Sequence, residues 1–233
     1  MSDTLIQYDF RLSEELFEYQ VRLDPNSLAI TEENETYPDW VLLQFHQCPH
    51  CPLKPEETQY CPLAKHISHA VDFFAEMPSF EQLQVAVSTK DRKFLMQTDA
   101  QDGMRSLLGL IMATAGCPHM NWFKPMARFH LPKANLAETI YRVTSMYLLA
   151  QHFVAKNGGE PDWELQKLPE LYGNVDLVNT YILKRLRSFI SKDCSLNALV
   201  ILTVFSTQLN ESVTEPLAEL EYLFSDFLPS PHT

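Results

Sequence analysis

Four of the five cysteines in this chain are followed directly by proline, and their spacing is typical of a metal site. The strings QCPHCPL, YCPLA and GCPHM hold Cys48, Cys51, Cys61 and Cys117, whereas Cys194 lacks the proline. Proline keeps the residue before it extended and turns the chain after it, so a thiolate can point inward while later backbone N–H groups fold back toward the sulfur. The pattern C-x2-C-x9-C with a distant fourth Cys-Pro therefore predicts four soft ligands around one metal centre.

Zinc is the favoured metal, and a 4Fe-4S cluster is the alternative cofactor. The C-x2-C spacing is common in structural zinc sites, whereas iron–sulfur motifs usually bring three cysteines within a few residues. Here the third cysteine lies ten residues beyond the second. Disulfides are disfavoured in a chain without a secretory signal, and a catalytic dithiol is disfavoured without a thioredoxin-like βαβ pattern around C-x-x-C.

Histidines cluster around the same cysteines. His50 or His119, each in a Cys-Pro-His string, can replace one thiolate to give a site of three cysteines and one histidine. In a separate alternative, a histidine and a water complete an open, catalytic zinc site. His66 and His69 can form part of a second centre, but the chain has no Glu-x-x-His or His-Glu-x-x-His string, which favours a solvated or supporting pair. Four thiolates on Zn²⁺ leave a negative centre that favours nearby cations, and Lys54 is one candidate. The surroundings of the site are predicted to include His46, His66, His69, Trp122 and Lys65.

Two further segments carry reactive or charged side chains. The loop after Cys117 is rich in aromatic residues, methionine and histidine, and it either lines a ligand pocket or, as the favoured interpretation, buries Trp122, Phe123 and Phe129 against the metal knuckle. Lys184, Arg185 and Arg187 fall in the last turns of a predicted helix, where we expect solvent-exposed cations that complement the helix dipole. Cys194 is interpreted as a small half-buried residue.

The first part of the chain alternates as β-strands do. Alternation predicts a pair of strands at Ile6–Leu12 and Phe17–Leu23 and a hairpin at Leu83–Ser88 and Lys93–Gln97. Short strands are expected at Ser27–Ile30 and at Trp40–Phe45, the latter leading into Cys48. A helix is predicted to follow the third cysteine, between Pro62 and Glu76.

From about Gln101 onward the pattern is helical. Asn135 and Glu138 predict a capping box for a helix at Leu136–Lys156. Further helices are expected at Val175–Ile190, after Asp193 over Leu196–Phe205, and from Thr214 to about Asp226. The fold class is α+β: a small, mainly antiparallel β-layer with a Cys-Pro metal knuckle, followed by a C-terminal helical bundle. Residues 1–233 form one unit, with a β-rich part at 1–98 and a helical part at 99–233.

Composition limits the function. A net charge of −12 and a pI near 5.0 argue against nucleic acid and anionic membranes as partners. The chain has neither a secretory signal nor an apolar run long enough to cross a bilayer, which predicts a cytoplasmic protein. No G-x-G-x-x-G, P-loop or G-x-S-x-G string occurs. We therefore expect a non-catalytic, metal-stabilised module that binds a protein or small-molecule ligand, with an iron–sulfur redox or sensor protein and a zinc enzyme as the alternatives.

The combination CPHCPL, YCPLA and GCPHM, with helices after it, resembles an uncharacterised bacterial family known only as a domain of unknown function. The resemblance spans most of the chain. It implies a bacterial cytoplasmic origin and carries no activity with it.

Overall fold

Two antiparallel hairpins form one four-stranded sheet. The computed structural model describes residues 4–32, 36–74, 77–189, 196, 197, 200, 203 and 217–229. Its strands are β1 (Thr4–Leu12), β2 (Glu15–Leu23), β3 (Gln82–Ser88) and β4 (Lys93–Asp99), arranged in the order β2-β1-β3-β4. Both predicted strand pairs are confirmed, because strict alternation places every second residue on one face.

One face of the sheet is buried and the other is polar. On the inner face of β1, Tyr8 lies opposite Val87 of β3 and Phe10 lies opposite Val85, and all four are buried. Asp9 and Gln84, at alternate positions, lie on the outer face with Leu16 and Leu95. The hydrophobic core therefore sits on one side of the sheet only.

Helices cover the buried face of the sheet and continue beyond it. They are α1 (Pro62–Phe73), α2 (Ala100–Thr114), α3 (Lys124–Arg128), α4 (Leu136–Lys156) and α5 (Leu168–Arg187). Short 3-10 helices occur at Asp39–Val41, Asn121–Phe123 and Glu221–Phe227. Helix α2 lies so close to the sheet that a Cβ on its Gly103 would stand 3.2 Å from the Phe10 ring and 3.3 Å from Val85. A larger residue at this position would push α2 away from the sheet.

The predicted helices at Leu136–Lys156 and Val175–Ile190 both occur, but one differs in its bounds and the other in its burial. Helix α4 has the predicted bounds, and its capping box joins Asn135 and Glu138. Its buried residues all lie between Ile140 and Tyr147, and Val154 is 37% exposed. Helix α5 begins at Leu168 rather than Val175, since a proline follows Leu168 in the first turn, where its missing N–H costs nothing.

Two predicted short strands are wrong. At Ser27–Ile30, the Asp24 carboxylate accepts hydrogen bonds from the N–H groups of Asn26 and Ser27, which forms a turn, and only Ile30 bridges to Leu23. At Trp40–Phe45, the chain forms a 3-10 turn with one isolated bridge from Leu42 to Tyr60, and the carbonyls of Trp40, Leu42 and Leu43 bind Arg185.

Parts of the predicted C-terminal helices lie outside the described residues. These parts include Asp193, Cys194, most of Leu196–Phe205 and Thr214–Pro216. The described end of the chain contains the 3-10 helix Glu221–Phe227, where a last α-helix was expected. Among the helices that the structure describes, none is long and apolar enough to cross a bilayer.

The buried Tyr8 hydroxyl joins the sheet to the helices. It lies 3.0 Å from Ser106 Oγ on α2 and also contacts Nε2 of His130, in the loop after α3. Part of the His130 surface remains accessible, yet burial lowers the pKa of its imidazole to about 3, and the Arg142 guanidinium adds to the shift. His130 is therefore neutral at physiological pH.

The neutral His130 should make the fold sensitive to acid. In the unfolded chain the imidazole gains a proton near pH 6.5, whereas the folded protein resists it down to about pH 3, so falling pH favours unfolding by up to about 1.4 kcal/mol per pH unit in this window. His130→Gln keeps an acceptor for Tyr8, and its stability should decline less than that of the wild type between about pH 6 and pH 4. Urea unfolding at several pH values measures this, with the exposed His152→Gln as control. Parallel pH curves for wild type and His130→Gln would contradict the assignment.

Candidate metal centre

The four Cys-Pro cysteines line one small cavity. Cys48 and Cys51 lie in the loop after the first 3-10 helix, Cys61 precedes α1, and Cys117 follows α2. The cavity has a volume of about 20 Å³. The same wall includes Leu43, Leu63, His119, Val178, Ile182 and Arg185. Residues far apart in sequence thus meet in this cavity, beside the start of α1 and the end of α2.

Backbone N–H groups turn back to the sulfurs, as the Cys-Pro pattern predicts. Cys61 is the N-cap of α1, in an extended conformation before Pro62. The N–H groups of Leu63 and Ala64 offset part of the rise that burial causes in the pKa of its thiol, and the N–H of His119 does the same for Cys117. Extended cysteines followed by proline therefore direct both sulfurs toward nearby peptide dipoles.

A left-handed glycine delivers Cys117 to the cavity. Helix α2 ends at Thr114, and Gly116 has a φ of +85°, a conformation that side chains with a Cβ adopt at a cost. The chain then turns, with the N–H of Met120 bound to the Cys117 carbonyl at 2.9 Å. Gly116 therefore reverses the chain at the end of α2, so that Cys117 reaches the other three cysteines.

A buried arginine stands beside the cysteines. Arg185 of α5 is 1% exposed, and its guanidinium donates to the carbonyls of Trp40, Leu42 and Leu43 at 2.7–2.9 Å. Its Nε has no hydrogen-bond partner, and no carboxylate lies within ion-pair distance of it, in the part of the chain that the structure describes. Burial lowers the pKa of its guanidinium, and the neighbouring Cys61, Cys48 and Cys51 act in the opposite direction. A buried cation without an anion is costly, so this site favours a negative neighbour.

Burial favours the protonated form of three of the thiols, Cys48, Cys61 and Cys117. It raises the pKa of Cys48 and of Cys117 to about 12 and raises that of Cys61 as well. The Arg185 charge acts in the opposite direction on Cys48 and Cys61. No set of three or more His, Cys, Asp or Glu side chains among the described residues has an arrangement ready to hold a metal ion. Metal binding would require the thiols to lose their protons and move together around the ion.

The two candidate histidines are stacked, and only His119 lines the cavity. Their ring centroids are 4.0 Å apart. Nε2 of His119 lies 2.9 Å from the His50 carbonyl, and Nε2 of His50 lies 3.1 Å from the Asn174 carbonyl. Carbonyls only accept hydrogen bonds, so each Nε2 carries the proton and each Nδ1 keeps its lone pair. His119 Nδ1 is therefore the better-placed alternative ligand.

Of the residues predicted to surround the site, Trp122 contacts the cavity residue His119, and the others lie away from the cavity. His46 is exposed against Phe45. Trp122 donates to the His119 carbonyl and stacks on Phe123. A separate cavity between β2 and α1 is lined by His66, His69 and Lys65.

The positions predicted for the cations are also corrected. Lys54 forms an ion pair with Glu57 at the surface, and neither it nor Lys65 is among the described residues that line the cysteine cavity. Arg185, expected in solvent, is the cation at the site. Sequence reasoning missed it because it lies among Lys184 and Arg187, which are exposed, although its spacing from the buried Val178 and Ile182 was a signal. Phe129, expected to be buried, is 72% exposed.

Comparison with known proteins identifies the family and no activity. No curated protein and no solved structure matches the chain. One family model matches residues 6–225, most of its length. The chain thus belongs to the family described as "Domain of unknown function (DUF6901)".

Proposed function

We propose that this protein is a zinc-stabilised, non-catalytic module in which Cys48, Cys51, Cys61 and Cys117 hold one metal ion. The observation that carries the proposal is that these four cysteines, from three separate segments, line one cavity beside a buried arginine. A closed shell of four thiolates is typical of structural zinc and leaves no position for substrate. The ion would join the loop before α1 to the ends of α1 and α2.

The charge of Arg185 supports an anionic centre. Four thiolates and Zn²⁺ sum to a formal charge of minus two, and a guanidinium at the wall offsets part of it. The same arginine binds three carbonyls of the loop that leads to Cys48. It would therefore position that loop and stabilise the charge of the thiolates together.

The size of the cavity favours a single ion over a cluster. A volume of about 20 Å³ suits one water-sized species, whereas a 4Fe-4S cluster contains eight atoms. The iron–sulfur redox or sensor protein is therefore the second candidate. A zinc enzyme requires two cysteines to give way, one to His119 Nδ1 and one to a water, and it is the third candidate.

Elemental analysis of the full chain purified without oxygen separates these functions. We expect a colourless protein with about one zinc per chain and little iron, because four thiolates without a cluster absorb no visible light. A brown protein with several irons per chain would replace zinc with a cluster. A protein that contains neither zinc nor iron in near-stoichiometric amount would contradict the metal site as a whole.

The module is proposed to work in the cytoplasm, where reducing conditions keep thiols available for metal. All four of these cysteines are free of disulfide bonds. Its role would be to bind a protein or small-molecule ligand on a scaffold that the metal holds together.

A further inference from the structure

A second, larger cavity shares α5 with the cysteine cavity but takes different residues from it. Its volume is about 160 Å³. Much of the wall is apolar, with Met112 from α2 and Met120, Phe123, Met126 and Leu131 from the chain after Cys117. For comparison, an apolar cavity of about 150 Å³ accepts benzene. The space therefore fits one ring-sized apolar group.

Positive side chains collect at this cavity although the chain as a whole carries a net charge of −12. Arg105, Lys133 and Arg142 line it, and no Asp or Glu does among the residues described. Asp102 pairs with Arg105 at 3.0 Å and with Lys133 at 3.9 Å, so one carboxylate serves two cations. The cavity wall therefore carries a net positive charge, which favours an anionic ligand.

Arg142 has a carboxylate neighbour, Glu138 on the same helix, whose charge offsets only part of the effect of burial on its pKa. Its Nη2 donates to the carbonyls of Met126 and Phe129. No carboxylate lies within ion-pair distance of it in the described ranges. Its remaining N–H groups can reach a planar acceptor, and a carboxylate matches the geometry of a guanidinium.

The hydrogen-bond chain through Tyr8 adds a neutral donor. Ser106 Oγ accepts from the Lys133 N–H at 3.2 Å, and the Tyr8 hydroxyl is the one acceptor for its proton among the described residues. When Ser106 donates to Tyr8, Tyr8 donates its own proton to Nε2 of His130, and the imidazole proton then lies on Nδ1. No protein group in the described part of the chain accepts that Nδ1–H, and His130 lines the cavity.

We propose that this cavity binds a small monoanionic carboxylate with an apolar body about the size of a benzene ring. The apolar body occupies the methionine-lined wall, and the carboxylate faces Arg142, Lys133 and the His130 Nδ1–H. This site is separate from the metal centre and does not depend on the identity of the metal.

Methionine methyl NMR of the full, metal-analysed protein tests the site with benzoate as the probe. Of the eight methionines, Met112, Met120 and Met126 line the cavity, whereas Met77 and Met96 do not. Benzoate should shift the three lining methyls in a saturable manner, with a Kd of about 1 mM or lower. Benzamide, a neutral analogue of the same shape, should bind at least about 10-fold more weakly, because it leaves the guanidinium without an anion.

Four variants separate charge from shape. Arg142→Gln should abolish the preference for benzoate over benzamide, whereas Arg128→Gln, an exposed arginine on α3, should leave it unchanged. Lys133→Gln should weaken the binding of benzoate but not of benzamide. It leaves the two hydrogen bonds from Arg142 to backbone carbonyls intact. Ala113→Leu fills the cavity and should weaken both probes.

Several outcomes would overturn the proposal. These are equal affinities for benzoate and benzamide, absence of a saturable shift, or equal shifts at Met77 and Met96. The metal content measured on the same sample keeps the two proposals distinguishable, since benzoate binding by a chain that holds no metal would contradict only the zinc module.

Discussion

Cys117→Ser should remove most of the bound metal and lower the melting temperature by about 10 °C or more. A structural zinc contributes roughly 10 kcal/mol or more of apparent binding energy, comparable to the whole stability of a domain, so one lost ligand is felt globally. For a chain of this size each kcal/mol corresponds to about 2–4 °C. Metal analysis and thermal unfolding of the same samples measure both effects.

Matched variants isolate the metal contribution. Cys48→Ser, Cys51→Ser and Cys61→Ser should resemble Cys117→Ser, whereas Cys194→Ser, which lacks the proline context, should keep the metal. After chelation of the wild type, Cys117→Ser should cost little further stability, since the ion is already gone. If Cys117→Ser retains full metal and an unchanged melting temperature while Cys48→Ser does not, the fourth ligand is another group. His119 Nδ1 is then the first residue to test, with His50 second.

Arg185→Met should destabilise the protein by about 3 kcal/mol or more and reduce its metal affinity. The substitution leaves the carbonyls of Trp40, Leu42 and Leu43 without their donor in a buried position, which costs roughly 1–3 kcal/mol for each group that finds no other partner. It also removes the cation beside the proposed thiolate centre. Urea unfolding with and without zinc, together with a chelator competition, measures the two effects separately.

Arg187→Met is the matched control, because Arg187 is exposed on the same helix, and it should change stability by less than about 0.5 kcal/mol. Arg185→Lys keeps the charge but loses the fork that reaches three carbonyls, so it should restore metal affinity better than stability. Equal stability and equal metal affinity for Arg185→Met and Arg187→Met would show that the buried guanidinium has neither role.

Local sequence signals determined most of the elements. Alternation in β1 and β2 placed Tyr8 and Phe10 on the buried face, and the pair Asn135 and Glu138 defined the start of α4. These signals act between residues close in sequence, so they can be read without the fold. The Cys-Pro pattern belongs to the same class, since proline constrains the residue directly before it. The identity of the four candidate ligands therefore came from the sequence alone.

Tertiary structure decided which side chains surround those ligands. Helical periodicity could not tell that Arg185 is buried while Lys184 and Arg187 are exposed, because its burial depends on three carbonyls more than 140 residues away in sequence. Local alternation also could not tell that Trp40–Phe45 forms no strand, because carbonyls of this segment bind the distant Arg185. The choice of His119 over His50, and the charged, ring-sized cavity beside α5, also depend on long-range packing. The sequence by itself determined the local conformation and the candidate ligands, whereas burial, charge compensation and cavity shape arose only when distant segments met.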